Sequence, residues 1–444
     1  MTLTDTRSGG VRLRGVRAFC VGVVLLLGAS GLLSPAFAQD GAPFTWTAHL
    51  RSTAYFYQSE TSDGTGEKLS YAPLYEHFDV SAGQLANGRL DFRVSGRFGT
   101  DMGDDEVIDV EDKLYIAYAN VRAPWADARV RVGRQFLQEG TNRHTLDGVW
   151  LGFRPLRDWQ VHAWAGGEAP VARNFEASEF GDEAAMGVRV IGRVHRRARV
   201  GAWFATRQNG GETTATPIGG ELLVTPMPEW RALIRGSFDA ESEELERIDA
   251  LTQIAPGRDL PVFTIQYIDR KPIIEGSSFF SMFADDLERI SLLRGTARYE
   301  HETGFGGELE FSRSAVDDRS TSRFGLAAIV PHARLGVGLS SGDAGEEFSF
   351  YGDAHYRFFH KLDMSVGAVF AEYALIEDAP DDELRDLVTT FVRARYEIVD
   401  GLRLRAEYQA LENPFFSDDM RVLIGLDLAA GRGTSRFGLG AGGH

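Results

Sequence analysis

The sequence predicts an all-β fold: a transmembrane, antiparallel up-and-down β-barrel of about 22 strands, with 18–20 as the lower count and no N-terminal plug domain. Three observations predict it. Apolar and polar residues alternate with period two from about residue 44 to 428, with hardly a helical stretch between. Short turn-like links alternate with longer polar ones, as in bacterial barrels, whose turns are short on one side of the membrane and longer on the other. Beyond a secretory leader, no stretch reaches the ~18 consecutive apolar residues that a membrane helix needs.

The leader occupies residues 1–38. Arg12, Arg14 and Arg17 form its basic region, Val21 to Leu33 its apolar core, and Ala36-Phe-Ala38 a small-x-small cleavage site before Gln39. Cys20, the single cysteine, precedes the apolar core and leaves with the leader, so no disulfide or thiol chemistry is expected afterwards. Loss of four arginines and Asp5 takes the formal charge from −17 to −20. The acids bunch in 101–112, 239–246, 285–288 and 377–386, whereas the arginines alternate inside the strands. Such acidic runs are solvated loops, or a negative rim that divalent cations bridge to lipopolysaccharide. The barrel is expected over 39–428 as one domain, leaving 429–444 as a Gly-rich tail or, if Phe437 belongs to it, a closing strand.

In chain order, strands are expected near 44–57, 76–85, 89–98, 110–121, 128–136, 144–153, 159–166 and 184–194. The series continues near 197–207, 215–225, 229–238, 245–254, 261–271, 288–300 and 304–313. It ends near 321–330, 332–341, 347–358, 360–372, 386–398, 402–411 and 420–428. Ala86-Asn-Gly88, Pro155-Leu-Arg-Asp158, His195-Arg196, Met227-Pro228, Pro331 and Val399-Asp-Gly401 supply short links rich in turn residues. Longer links are expected at about 58–75, 99–109, 167–183, 272–287, 314–320, 373–385 and 412–419. An even strand number puts both termini on the short-turn, periplasmic side of a bacterial outer membrane.

Parity within each strand separates two faces. Leu90, Phe92 and Val94, Val188 and Val190, Val200, Ala202 and Phe204, Leu402, Leu404 and Ala406, and Val422, Ile424 and Leu426 form a lipid-facing set. Tyr55, Trp159, Trp230 and Tyr408 are among the aromatics near strand ends that would form interfacial girdles. A charge on the lipid face at mid-bilayer costs about 2–4 kcal/mol, so mid-strand arginines must face inward. The predicted pore lining is Arg93, Arg97, Arg129, Arg131, Arg189, Arg193, Arg199, Arg231, Arg235, Arg393, Arg395, Arg403 and Arg405. Inward acids (Asp91, Glu308, Glu310, Asp353, Asp363 and Glu407) either pair with them and merely hold a wet wall together, or leave an arginine excess that favours anions. Arg134 has the parity opposite to Arg131. Either it snorkels at the strand end, or Gly133 marks a bulge that re-aims it.

The run Arg131-Val-Gly-Arg-Gln135, followed by Leu146-Asp-Gly-Val149, resembles the R-x-G-R-Q and F-D-G-V hairpin of porin-like families, among them the alginate-export outer-membrane proteins. About thirty residues carry the likeness, with Leu146 standing where that pattern has an aromatic. The resemblance implies a pore with an arginine-lined interior suited to anionic or sugar-like solutes.

So wide a barrel without a plug would leak, and some segment is expected to fold inward. The predicted constriction is Pro272 to Arg289, where Ser277 caps a short helix crowded with Phe279, Phe280, Met282 and Phe283. The link at 167–183, with Phe175 and Phe180, is the second choice. The sequence holds no G-x-S-x-G, no H-E-x-x-H, no glycine-rich phosphate loop and no Cys/His cluster, so no catalytic residue, metal or cofactor is expected. Enclosed arginines and acidic loops argue against a nucleic-acid partner. The expected role is a non-enzymatic outer-membrane porin passing small hydrophilic, anionic solutes by diffusion. A surface anchor whose acidic loops bind a partner, and an outer-membrane barrel enzyme, are the alternatives. Outer-membrane lipid, lipopolysaccharide and the solutes are the expected partners, and the sequence fits a homo-trimer or a monomer alike.

Overall fold

The computed structural model describes residues 44–60, 68–103, 110–123, 127–169, 174–178, 181, 183–271, 288–343, 345–374, 385–413 and 416–432. Within them the alternating sequence forms a single antiparallel sheet of 22 strands. Strand β1 spans Thr45–Glu60. Strand β2 runs over Lys68–Tyr71 and Pro73–Gln84, and β10 over Glu212–Ala215 and Pro217–Met227. Each is interrupted just ahead of a proline, whose missing N–H cannot continue the ladder. Between them lie β3 (Leu90–Asp101), β4 (Lys113–Ala123), β5 (Ala128–Glu139), β6 (Asn142–Leu156), β7 (Trp159–Glu168), β8 (Glu183–His195) and β9 (Ala198–Asn209). Next come β11 (Trp230–Asp239), β12 (Glu244–Ile254), β13 (Val262–Arg270), β14 (Ile290–Glu300), β15 (Gly306–Val316) and β16 (Arg319–Val330). The series ends with β17 (Ala333–Gly342), β18 (Glu346–Phe358), β19 (Leu362–Ala374), β20 (Arg385–Val399), β21 (Leu402–Asn413) and β22 (Phe416–Arg432).

Each strand pairs with the next, and β22 pairs with β1 from Trp46↔Arg432 to Tyr57↔Arg421. The sheet is therefore closed into a barrel, which leaves no strand edge unpaired. The closing strand runs on to Arg432, past the expected end at Leu428, while Phe437 lies outside the described residues.

Register sorts the side chains into two faces. Leu309, Leu326, Val337, Phe350, Phe370 and Val388 stand opposite one another in sequence across β15 to β20. Leu309, Leu326 and Phe350 are about half exposed, as apolar side chains on the outside of a lipid-embedded barrel must be. The alternate parity is polar, as in Glu221↔Arg235↔Asp249 across β10 to β12. Two links expected to be long are short instead, by the bounds of the strands that flank them. Only Asp317-Asp318 joins β15 to β16 in place of the 314–320 link, and 414–415 alone separate β21 from β22 in place of 412–419. The strands simply continue further than their hydrophobic cores suggested, because a polar residue can complete the ladder beyond the bilayer.

Candidate pore constriction

The hairpin of β5 and β6 does not stay in the barrel wall. Glu139 stands opposite Asn142 and Trp150 opposite Arg131, which separates Glu139 and Trp150 by eight residues along the hairpin. A straight strand would hold them roughly 26 Å apart. Yet Trp150 Nε1 donates to Glu139 Oε1 at 3.0 Å. The hairpin tip therefore folds back over the polar face of the sheet.

The crease is a row of three glycines in register, Gly133↔Gly148↔Gly166, on β5, β6 and β7. A Cβ at Gly148 would stand 2.2 Å from the Ala165 carbonyl oxygen, and one at Gly133 would stand 2.2 Å from that of Ala117. Gly133 also has φ +118°, a conformation that side chains disfavour. Only glycine lets the backbones approach closely enough for the bend.

Beyond the crease the tip leans across β7 and β8 to β9. His162 Nδ1 lies 3.0 Å from Glu139 Oε2, and Arg189 donates from Nη1 to the same carboxylate at 3.0 Å and from Nη2 to Glu221 at 2.8 Å. Gly140, at the turn, lies directly against the Trp203 ring. Leu137 and Leu146 pack with Trp164, Ala185 and Ala205 into an apolar cluster, with Trp150 at its margin. Together these contacts dock the tip with both apolar burial and a charged hub.

Arg134 and Asp147 close the opening behind the bend. They form a buried ion pair at 2.6 Å, with side chains 3% and 10% exposed. Arg134 also donates to the carbonyls of Leu114, Asn174 and Glu176, and Ser178 N–H donates to Asp147. Of the two sequence readings of Arg134, snorkelling is therefore excluded by its burial, and the anomaly at Gly133 is a crease rather than a one-residue bulge, since the β5–β6 register is unbroken. The segment 174–178 packs on this seam, with Phe175 stacked on Phe98 of β3 at 5.7 Å. Phe279, Phe280, Met282, Phe283 and Phe180 lie outside the described residues.

All thirteen arginines predicted to line the pore share the polar face by register. Six of them have carboxylate partners. Arg93 pairs with Asp79, Arg189 with Glu139 and Glu221, Arg235 with Asp249, Arg393 with Glu407, Arg403 with Glu397 and Arg405 with Asp427. Among the described residues, Arg97, Arg129, Arg131, Arg193, Arg199, Arg231 and Arg395 form no ion pair. Arg131 instead lies between the rings of Tyr118 and Trp150, at 4.6 and 5.1 Å. The docking residues Leu137, Glu139, Leu146, Trp150, His162, Trp164 and Trp203 were not anticipated. The signal for Leu137 and Leu146 was large apolar side chains with the parity of the polar face, bracketed by Gly133 and Gly148.

No protein-family model matches the chain, and no curated protein matches its sequence. Among solved structures it is similar to the outer membrane protein opdK from Pseudomonas aeruginosa, at 12% identity over 88% of this chain and 99% of that one, with a TM-score of 0.39. Acinetobacter baumannii OccAB4 gives 10% identity over 89% and 100% of the two chains, with a TM-score of 0.42. The P pilus usher (PapC) translocation pore gives 9% over 88% and 100%, with a TM-score of 0.50. The fold is that of a porin-like outer-membrane β-barrel. At such identities the likeness is one of fold alone, and residue roles must come from this chain.

Proposed function

We propose that the barrel is a non-enzymatic outer-membrane channel for small hydrophilic solutes, with a preference for anions, narrowed by its own β5–β6 hairpin. The observation that carries this reading is the inward fold of that hairpin across the polar face, since a structure serving only as an anchor needs no device to reduce its bore. The polar face is the lumen in this reading, because the opposite face exposes leucine and phenylalanine that suit lipid. The seven arginines without a carboxylate partner among the described residues leave the lumen positive near them, which favours anions. The short-turn end, where β1 begins and β22 ends, faces the periplasm, and the acidic loops face outward toward lipopolysaccharide.

The test is single-channel recording of the refolded full chain in planar bilayers, with the reversal potential measured under a salt gradient. Discrete openings with an anion-selective reversal potential are expected. An intact barrel that passes no current would overturn the channel and leave the anchor as the better account.

A further inference from the structure

Five strands that leave the short turns place an arginine at their second residue: Arg129 on β5, Arg199 on β9, Arg231 on β11, Arg334 on β17 and Arg403 on β21. Their partners differ from one side of the mouth to the other. On β14 to β21 four arginines at the mouth are neutralised, Arg298 by Glu300, Arg334 by Glu308, Arg357 by Asp363 and Arg403 by Glu397, and among the described residues only Arg395, deeper on β20, is not. On β5 to β11 only Arg154 is, and among the described residues four others form no ion pair. Arg129, Arg193, Arg199 and Arg231 are all exposed, and among the described residues their side chains make one hydrogen bond, from Arg231 to the neutral amide of Gln253 at 3.2 Å. Of the acids in the adjoining turns, Asp127 holds Arg154 at 3.1 Å, and no ion pair joins Asp158 or Glu229 to these arginines.

Arg193 and Arg199 also stand directly opposite each other in register on β8 and β9. Like charges so placed repel, and a sheet has no structural use for the pair. A bound oxyanion of two or more charges reverses the sign of that interaction. Guanidinium groups on adjacent strands present parallel forks of N–H donors that match phosphate or carboxylate oxygens. We infer that the Arg193–Arg199 pair, within the arc that runs from Arg129 to Arg231, is a capture site for small multivalent oxyanions, such as diphosphates or polycarboxylates, at the short-turn mouth. The inference rests on the channel reading for its place in transport, whereas binding itself can be measured without current.

The experiment is isothermal titration of the detergent-solubilised full chain with inorganic pyrophosphate at low ionic strength, where screening is weakest, alongside one-sided addition of pyrophosphate in planar bilayers. Saturable binding and block from one side only are expected. The double variant Arg193→Gln/Arg199→Gln should weaken binding about tenfold or more, from the lost charge-assisted hydrogen bonds, while unfolding no more readily than the unaltered chain. Arg357→Gln, at the neutralised side of the same mouth, should bind as the unaltered chain does. Absence of saturable binding to the unaltered chain, or equal loss in Arg357→Gln, overturns the capture site. A barrel that binds pyrophosphate but passes no current overturns the channel instead, and one that conducts without binding overturns only the arc.

Discussion

Arg134 shows how a single charge can be placed on the wrong parity and still be required. Bending the hairpin inward opens the wall behind it, and a guanidinium with five donors can satisfy the several carbonyls exposed there while Asp147 neutralises it. Parity alone marked this residue as an anomaly, and Gly133 beside it as the place to look. What parity could not supply was the partner set, because Asn174 and Glu176 lie forty residues further along the chain. Asp147→Ala leaves the guanidinium buried without its counter-charge, a loss of about 3–5 kcal/mol. Denaturant titration in detergent micelles is expected to show this loss.

At the scale of the element, the β5–β6 hairpin joins two roles that the alternating pattern does not distinguish. Its first residues are ordinary wall strand, with Val130 and Val132 on the apolar face and Arg129 and Arg131 on the polar one. After the crease, the parity of the polar face carries Gln135 and Leu137 on one strand and Leu146 on the other, all nearly inaccessible to solvent. A residue facing an aqueous lumen cannot be buried unless something covers it. The tip does so by docking against Trp164 and Trp203. Removing residues 138–143 and rejoining the strands with a two-residue turn is expected to raise single-channel conductance while the barrel stays folded. Unchanged conductance in an intact barrel would mean that the hairpin lies clear of the solute path.

For the whole molecule, the decisive property is which face meets lipid. Leu326 and Ser340 lie on neighbouring strands but on opposite faces, since Leu326 stands opposite Val337 and Ser340 opposite Arg323 and Glu347. Leu326→Arg is expected to cost about 2–4 kcal/mol of stability in lipid vesicles if it sits near the bilayer midplane. Ser340→Arg, beside Glu347, is expected to cost little. Urea unfolding of the two variants in vesicles checks the difference, and equal costs would show that the apolar face does not meet lipid.

The sequence by itself determined the barrel: about 22 strands in order, the two faces, and the arginines on one of them. These follow from local rules, because side-chain alternation and turn residues act within a few positions of the chain. The inward bend of β5 and β6, and which of the described arginines are neutralised and which are not, were decided only by tertiary structure. Each depends on residues far apart in sequence, as Glu139 does on Arg189 and Arg405 on Asp427, and a period of two carries no information about which distant strands a folded hairpin will reach.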